Sequence, residues 1–142
     1  MSLACFEPQS EEDRVRATLA EVAAEAAKPD LGGVIAPFAD DYKDAEGTTR
    51  DQIKGFLFRE FRVRGPVRSV LSPITVQLSD GGRRARATFE AVLAVGISLD
   101  APIPESADAY RFVVDLELRD GDWKIVSHER SSARGVEIQI AE

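Results

Sequence analysis

Between Tyr110 and Ser131 the chain reads YRFVVDLELRDGDWKIVSHERS, two alternating runs that meet at Asp120-Gly121. Asp-Gly between alternating apolar residues is a strong hairpin signal, because the favoured two-residue turn needs positive φ at its centre. Such a loop sets Arg119 opposite Asp122, and the register follows from there. Leu118 faces Trp123, Glu117 faces Lys124, Leu116 faces Ile125, Val114 faces Ser127 and Phe112 faces Glu129. One face is then Tyr110, Phe112, Val114, Leu116, Leu118, Trp123 and Ile125, running out into Ser127, Glu129 and Ser131. The other face is mostly charged. An isolated hairpin is marginal in water, so its apolar face needs cover from the rest of the chain.

That cover lies upstream. Ser10 can cap a helix whose first turn, Glu11, Glu12 and Asp13, suits the helix dipole. Val15, Leu19, Val22, Ala23 and Ala26 then recur at helical spacing to about Lys28. Pro29-Asp30 stops this helix and starts a weak one, Leu31 to about Ala39, interrupted by Gly32, Gly33 and Pro37. An extended segment, ADDYKDAEG, ends in a glycine turn. Thr49 and Gln52 form a capping box for a third helix, with Ile53, Phe56, Leu57, Glu60 and Phe61 as its buried stripe and Gly65-Pro66 as its stop.

The remainder is strand. From Val67 to Leu78 the alternation slips phase at Ser72-Pro73, which predicts a bulge or bend. Asp80-Gly81-Gly82 turns the chain into a long strand, Arg84 to Ile97, with Ala85, Ala87, Phe89, Ala91, Leu93, Val95 and Ile97 on one parity. A loop from Ser98 to Ala107 leads into the hairpin. The reading is therefore α+β: three helices packed on a strongly curved antiparallel sheet. Residues 1–9 are expected to be a tether, 10–133 one domain, and 134–142 a tail or a short extra strand.

The chain has 142 residues and a formal net charge of −7, the wrong sign for a general nucleic-acid binder. No apolar run is long enough for a transmembrane helix. One cysteine and one histidine exclude an internal disulfide and make a metal site a poor reading, and we expect no cofactor. Leu3-Ala4-Cys5 resembles the end of a bacterial lipoprotein signal, making Cys5 a lipidation candidate and a bacterial envelope or periplasmic location one expectation. The apolar segment such a signal needs is missing from the sequence, and the alternative is an incidental cysteine at a frayed terminus of a cytoplasmic protein.

The helix pair ending in FADDY, the helix TTRDQIKGFLFREF and the closing hairpin with GDWKI together resemble the nuclear transport factor 2-like superfamily. Ketosteroid isomerases, scytalone dehydratase and polyketide cyclases share this cystatin-like cone. The resemblance spans about Glu11 to Ser131 and implies a pocket between the helices and the concave sheet face, but no single activity. The isomerase pattern of a first-helix tyrosine, an aspartate base and a second acid is not met. The first helix has no Tyr, the Arg84–Ile97 strand has no inward carboxylate, and Asp40 or Asp41 near the base position has nothing to pair with. The dehydratase pattern needs inward histidines, whereas His128 falls on the outer parity of the two-residue hairpin.

The pocket candidates are Asp41, Tyr42, Phe56, Phe89, Tyr110, Phe112, Ser127 and Glu129. Glu129 stands out, because a carboxylate on the apolar face would be desolvated unless paired. It could hold a ligand or act as a base; an arginine partner or an open hairpin end would explain it equally. Tyr42 and Tyr110 suit either a pocket rim or a core with satisfied hydroxyls. No catalytic residue is assigned. Val92, Ala94, Val113 and Val126 form an apolar band on an otherwise charged outer face, with His128 beside it, which predicts a homodimer through the sheet. Three functions follow: non-enzymatic binding of a small apolar ligand or a structural role; an isomerase, dehydratase or cyclase with Glu129 or Asp41 as base; or an interaction module using the outer face.

Overall fold

The computed structural model describes residues 9–96 and 107–133. Cys5, most of the loop from Ser98 to Ala107 and the segment 134–142 lie outside the described residues. Three helices, α1 (Glu11–Ala27), α2 (Leu31–Ile35) and α3 (Arg50–Arg64), precede five strands: β1 (Val67–Leu71), β2 (Thr75–Ser79), β3 (Arg84–Val95), β4 (Asp108–Arg119) and β5 (Asp122–Ser132). The sheet is antiparallel, in the order β1-β3-β4-β5, with β2 also on β3. β1 and β2 share one edge of β3 because the chain breaks between Leu71↔Ala91 and Thr75↔Thr88. Ser72 holds the break, donating its N–H to the Glu90 carbonyl at 2.8 Å and accepting the Glu90 N–H on Oγ at 2.8 Å. The predicted phase slip at Ser72-Pro73 is this bend.

Local sequence explains the helix limits. Ser10 Oγ accepts the Asp13 N–H at 3.1 Å. Thr49 and Gln52 form the reciprocal capping box, and Gly65, at φ 84°, ends α3. α2 is shorter than predicted, ending at Ile35. Arg50 of α3 donates to the carbonyl of its last residue, Ile35, at 3.2 Å and to that of Phe38, three residues beyond, at 3.1 Å. Gly96, at φ 77°, lets the end of β3 pass the end of α3, where a Cβ would lie 2.7 Å from the Arg64 carbonyl oxygen.

The core joins Val15 and Leu19 of α1 to Ala85, Ala87, Phe89 and Ala91 of β3, Val114 and Leu116 of β4, and Trp123 and Ile125 of β5. Alanines on β3 leave room for the larger side chains of α1, a local use of small residues that keeps the interior dense. α3 differs from the other elements: none of its residues is buried. Ile53, Leu57, Glu60 and Phe61 are half-buried, while Phe56 is 51% exposed. The predicted stripe exists, but the helix stands away from the sheet and leaves the concave face partly open.

The hairpin turn is as predicted. Asp120 (φ 51°) and Gly121 (φ 81°) are both at positive φ, and Arg119↔Asp122, Leu118↔Trp123, Glu117↔Lys124 and Leu116↔Ile125 are paired. Beyond that point the predicted register is wrong. Asp115 pairs with Ser127, Val114 with His128, Val113 with Glu129 and Phe112 with Arg130, so Val126 is an extra residue in a β-bulge. Strand side chains alternate, so one inserted residue turns the whole Ser127–Ser132 half over. The bulge sits where the segment Pro37–Lys43 crosses the strand. Ile125 donates to the Pro37 carbonyl at 2.8 Å, Ala39 to Ile125 at 2.9 Å and Lys43 to Val126 at 3.1 Å.

Candidate functional site

The bulge rearranges the candidate residues. Glu129, expected on the apolar face, is exposed on the convex side opposite Val113, where its charge acts on Arg86. Ser127 also moves to the convex side, beside Asp115 and Arg86. His128, expected outside, lies on the concave face opposite Val114, a residue 4% exposed. Asp41 is paired: its carboxylate accepts from Arg119 at 2.7 and 3.3 Å, and that guanidinium holds it below the ordinary carboxylate range. Ala94 is 4% exposed within the single chain, so it cannot contribute to an outer contact band. Val92, Val113 and Val126 are half-buried.

What the structure brings together is Tyr42, Asp44 and His128. Tyr42 is 1% exposed, and its hydroxyl meets Nδ1 of His128 at 2.5 Å and Oδ2 of Asp44 at 3.3 Å. Asp44 Oδ1 accepts the N–H groups of Glu46 and Thr48, both at 3.0 Å, in a turn that fixes the carboxylate. Burial raises the Asp44 carboxyl, but these backbone donors, the Tyr42 hydroxyl and His128 outweigh it and hold the carboxyl below its ordinary range. Burial, and then the Asp44 charge, push the Tyr42 phenol above its usual value. Burial lowers His128; the Asp44 charge opposes this and Arg130 adds to it.

Tyr42 has one hydroxyl hydrogen, which limits the network to two arrangements. If Tyr42 donates to Asp44, it accepts from Nδ1–H and the free Nε2 of His128 carries a lone pair. If Tyr42 donates to Nδ1, Nε2 carries the hydrogen. The first offers an acceptor to a ligand hydroxyl and the second a donor to a ligand carbonyl. Either way the imidazole is neutral and held from behind.

Aromatic rings continue the wall from His128. Its ring lies 6.4 Å from that of Phe112, which stacks on Phe89 at 5.3 Å and meets Tyr110 edge-on at 6.3 Å. Phe89 is a core residue at 9% exposure, whereas Phe112 and Tyr110 are half-buried. A groove of about 520 Å³ opens beside His128, bounded by Ile53 and Phe56 on one side and by Arg111, Glu129 and Arg130 of the sheet on the other. That volume suits a small molecule. Among the described residues no cluster of His, Cys, Asp and Glu could hold a metal ion, and no helix is long and apolar enough to cross a membrane.

The buried imidazole has a consequence for stability. The folded-state value of His128 lies below that of the unfolded chain, so on acidification the unfolded chain takes up the proton first. Its contribution to stability is complete above the ordinary histidine value near 6.5 and is lost as pH falls through the lower folded value. Urea midpoints measured from pH 7.5 to 5 should therefore decline, and His128→Gln should flatten the decline over that interval. Equal slopes in the two proteins would show that His128 is not shielded.

No known family matches the sequence, and no characterised protein matches it by sequence. Solved structures do resemble its fold. A nuclear transport factor 2-like protein of unknown function from Pseudomonas putida KT2440 superposes with a TM-score of 0.67 at 19% identity, covering 95% of this chain and 99% of that one. A Nostoc punctiforme protein of unknown function with a cystatin-like fold gives 0.68 at 12% identity, covering 89% and 95%. A Novosphingobium aromaticivorans protein, provisionally named a scytalone dehydratase, gives 0.71 at 15% identity, covering 93% and 91%. Identities this low speak for architecture alone. Three helices on a five-stranded antiparallel sheet, matched over nearly the whole length of these proteins, make this chain a nuclear transport factor 2-like, cystatin-like α+β fold.

Proposed function

We propose that the chain binds a small ring compound between α3 and the concave face, with the ring against Phe112 and its polar substituent on His128. The observation that carries this reading is the Tyr42–Asp44–His128 network at the end of an aromatic wall, beside an open groove. Purely structural side chains can be hydrogen-bonded too, but a structural network does not require a neighbouring groove whose lining includes its own histidine and an exposed phenylalanine, Phe56. The same network favours a second reading, in which Nε2 of His128 takes a proton from a carbon next to a carbonyl. Tyr42 and Asp44 would then fix the ring and stabilise the imidazolium. The dehydratase name of one structural neighbour is compatible with acid–base chemistry on a ring and says no more than that.

One experiment addresses both. Titrating the protein with phenol or cyclohexanone in ordinary water should shift amide resonances of Ile53, Phe56, Phe112 and His128. Scattered shifts, or none, would count against the binding site. Proton spectra of cyclohexanone with the protein in deuterated buffer report exchange of the protons beside the carbonyl; exchange no faster than in buffer, or unchanged in His128→Gln, rejects the proton-transfer reading and leaves binding intact.

A further inference from the structure

Arg130 is the second polar side chain that the bulge turns onto the concave face, two residues from His128 and opposite Phe112. Its guanidinium carbon lies 4.5 Å from the centre of the Tyr110 ring, a cation–π contact that fixes a side chain otherwise free to sweep through solvent. Three arginines of the sheet have carboxylates: Arg86 binds Asp115 at 2.9 Å, Arg84 lies 3.6 Å from Glu117, and Arg119 binds both Asp41 and Glu117. Arg130 makes no ion pair among the described residues. Among the described residues Arg130 is an exposed arginine held on a tyrosine ring and not on a carboxylate.

Three carboxylates border the same groove and must be accounted for. Asp44 is committed to Thr48, Glu46 and Tyr42. Glu129 faces the convex side, where its charge is felt by Arg86. Glu46 is exposed at the rim and makes no ion pair with Arg130. None of the three makes an ion pair with the guanidinium, burial holds His128 toward its neutral form, and Arg111 is a second guanidinium on the border of the groove.

We propose that the ligand is an anionic ring compound, an aromatic or alicyclic carboxylate, whose ring lies along the Phe112 wall and whose carboxylate forms a two-point contact with the Arg130 guanidinium. This rests on the ring-binding reading above and adds the charge of the ligand to it. A planar guanidinium stacked on a ring keeps its N–H edge outward, the geometry a carboxylate needs for two parallel hydrogen bonds. Tyr110 acts here as the positioning residue for Arg130.

The test compares 4-hydroxybenzoate with 4-hydroxybenzamide by calorimetry on the full chain at low salt. The acid should bind at least tenfold more tightly than the amide. Arg130→Gln should remove that preference and leave amide affinity within about twofold, while Arg84→Gln, an arginine outside this groove, should change neither. Thermal unfolding of both variants checks that they fold. Equal binding of acid and amide overturns the proposal, as does a preference that survives Arg130→Gln or disappears with Arg84→Gln. If neither benzoate derivative binds while phenol or cyclohexanone does, the anionic proposal falls alone; if no ring compound binds, the ring-binding reading falls with it.

Discussion

Replacing Trp123 with alanine should cost about 4 kcal/mol of folding stability, within the range for removing a buried aromatic side chain. Trp123 is 3% exposed, in the core and paired with Leu118 next to the hairpin turn. It also links two distant parts of the chain. Its indole N–H donates to Glu11 at 2.9 Å, Glu11 accepts Arg14 at 2.9 Å, and Arg14 donates onward to the Gly121 carbonyl. The first turn of α1 is thereby tied to the turn of the hairpin. Indole burial and this link are separable, because Trp123→Phe keeps most of the apolar area and loses only the hydrogen bond. Glu11 is partly exposed, so water can replace the indole, and the phenylalanine variant should lose roughly 1 kcal/mol. Far-UV circular dichroism in urea reads both without needing the indole. Since small domains have only about 5–15 kcal/mol in total, the alanine variant should unfold at markedly lower denaturant. A cost near 1 kcal/mol for alanine would mean that Trp123 is not a core residue.

The contrast between the two halves of β5 shows which parts of this molecule can be read from sequence. Features written in a few adjacent residues are legible: the Ser10 and Thr49 caps, the break at Ser72-Pro73, and the positive-φ pair Asp120-Gly121. The first four hairpin pairs follow from the turn, and Trp123 and Ile125 confirm them by being buried. After Ile125 the pattern stops deciding. One parity offers Val126, His128 and Arg130 and the other Ser127, Glu129 and Ser131, so no run of apolar residues marks the core side. The deciding force is tertiary. Pro37, Ala39 and Lys43 bond to the backbone of Ile125 and Val126, and no glycine or proline marks the place within the strand. The candidate site shared this fate. Tyr42, Phe56, Tyr110 and Phe112 are candidates from sequence alone, and Asp44 is placed by its own turn with Glu46 and Thr48, while His128 and Arg130 need the bulge to reach the same wall. A lone histidine in a strand whose parity is undecided is the cue that was available, and it points to neither face by itself.

The bulge can be tested by removing it. Deleting Val126 would run Ile125 directly into Ser127 and make the hairpin regular, with Asp115 still opposite Ser127, Val114 opposite His128 and Phe112 opposite Arg130. His128 and Arg130 would therefore keep the concave face, because alternation from Ile125 without the extra residue returns His128 to the side of Ile125. The imidazole should stay on the Tyr42 hydroxyl. What the deletion removes is the Val126 carbonyl that accepts Lys43 N–H at 3.1 Å, together with a half-buried side chain. Losing that hydrogen bond and that apolar contact should cost about 1–3 kcal/mol. Val126→Ala keeps the bulge and the carbonyl, and should cost about 1 kcal/mol through lost apolar contact alone. Urea unfolding gives the stabilities, and the histidine ring resonances followed against pH show whether His128 is still shielded in both variants. A histidine that titrates in the deletion variant as it does in the unfolded chain would mean that β5 changes face when Val126 is removed, and the pairing of Val114 with His128 would then depend on the bulge itself.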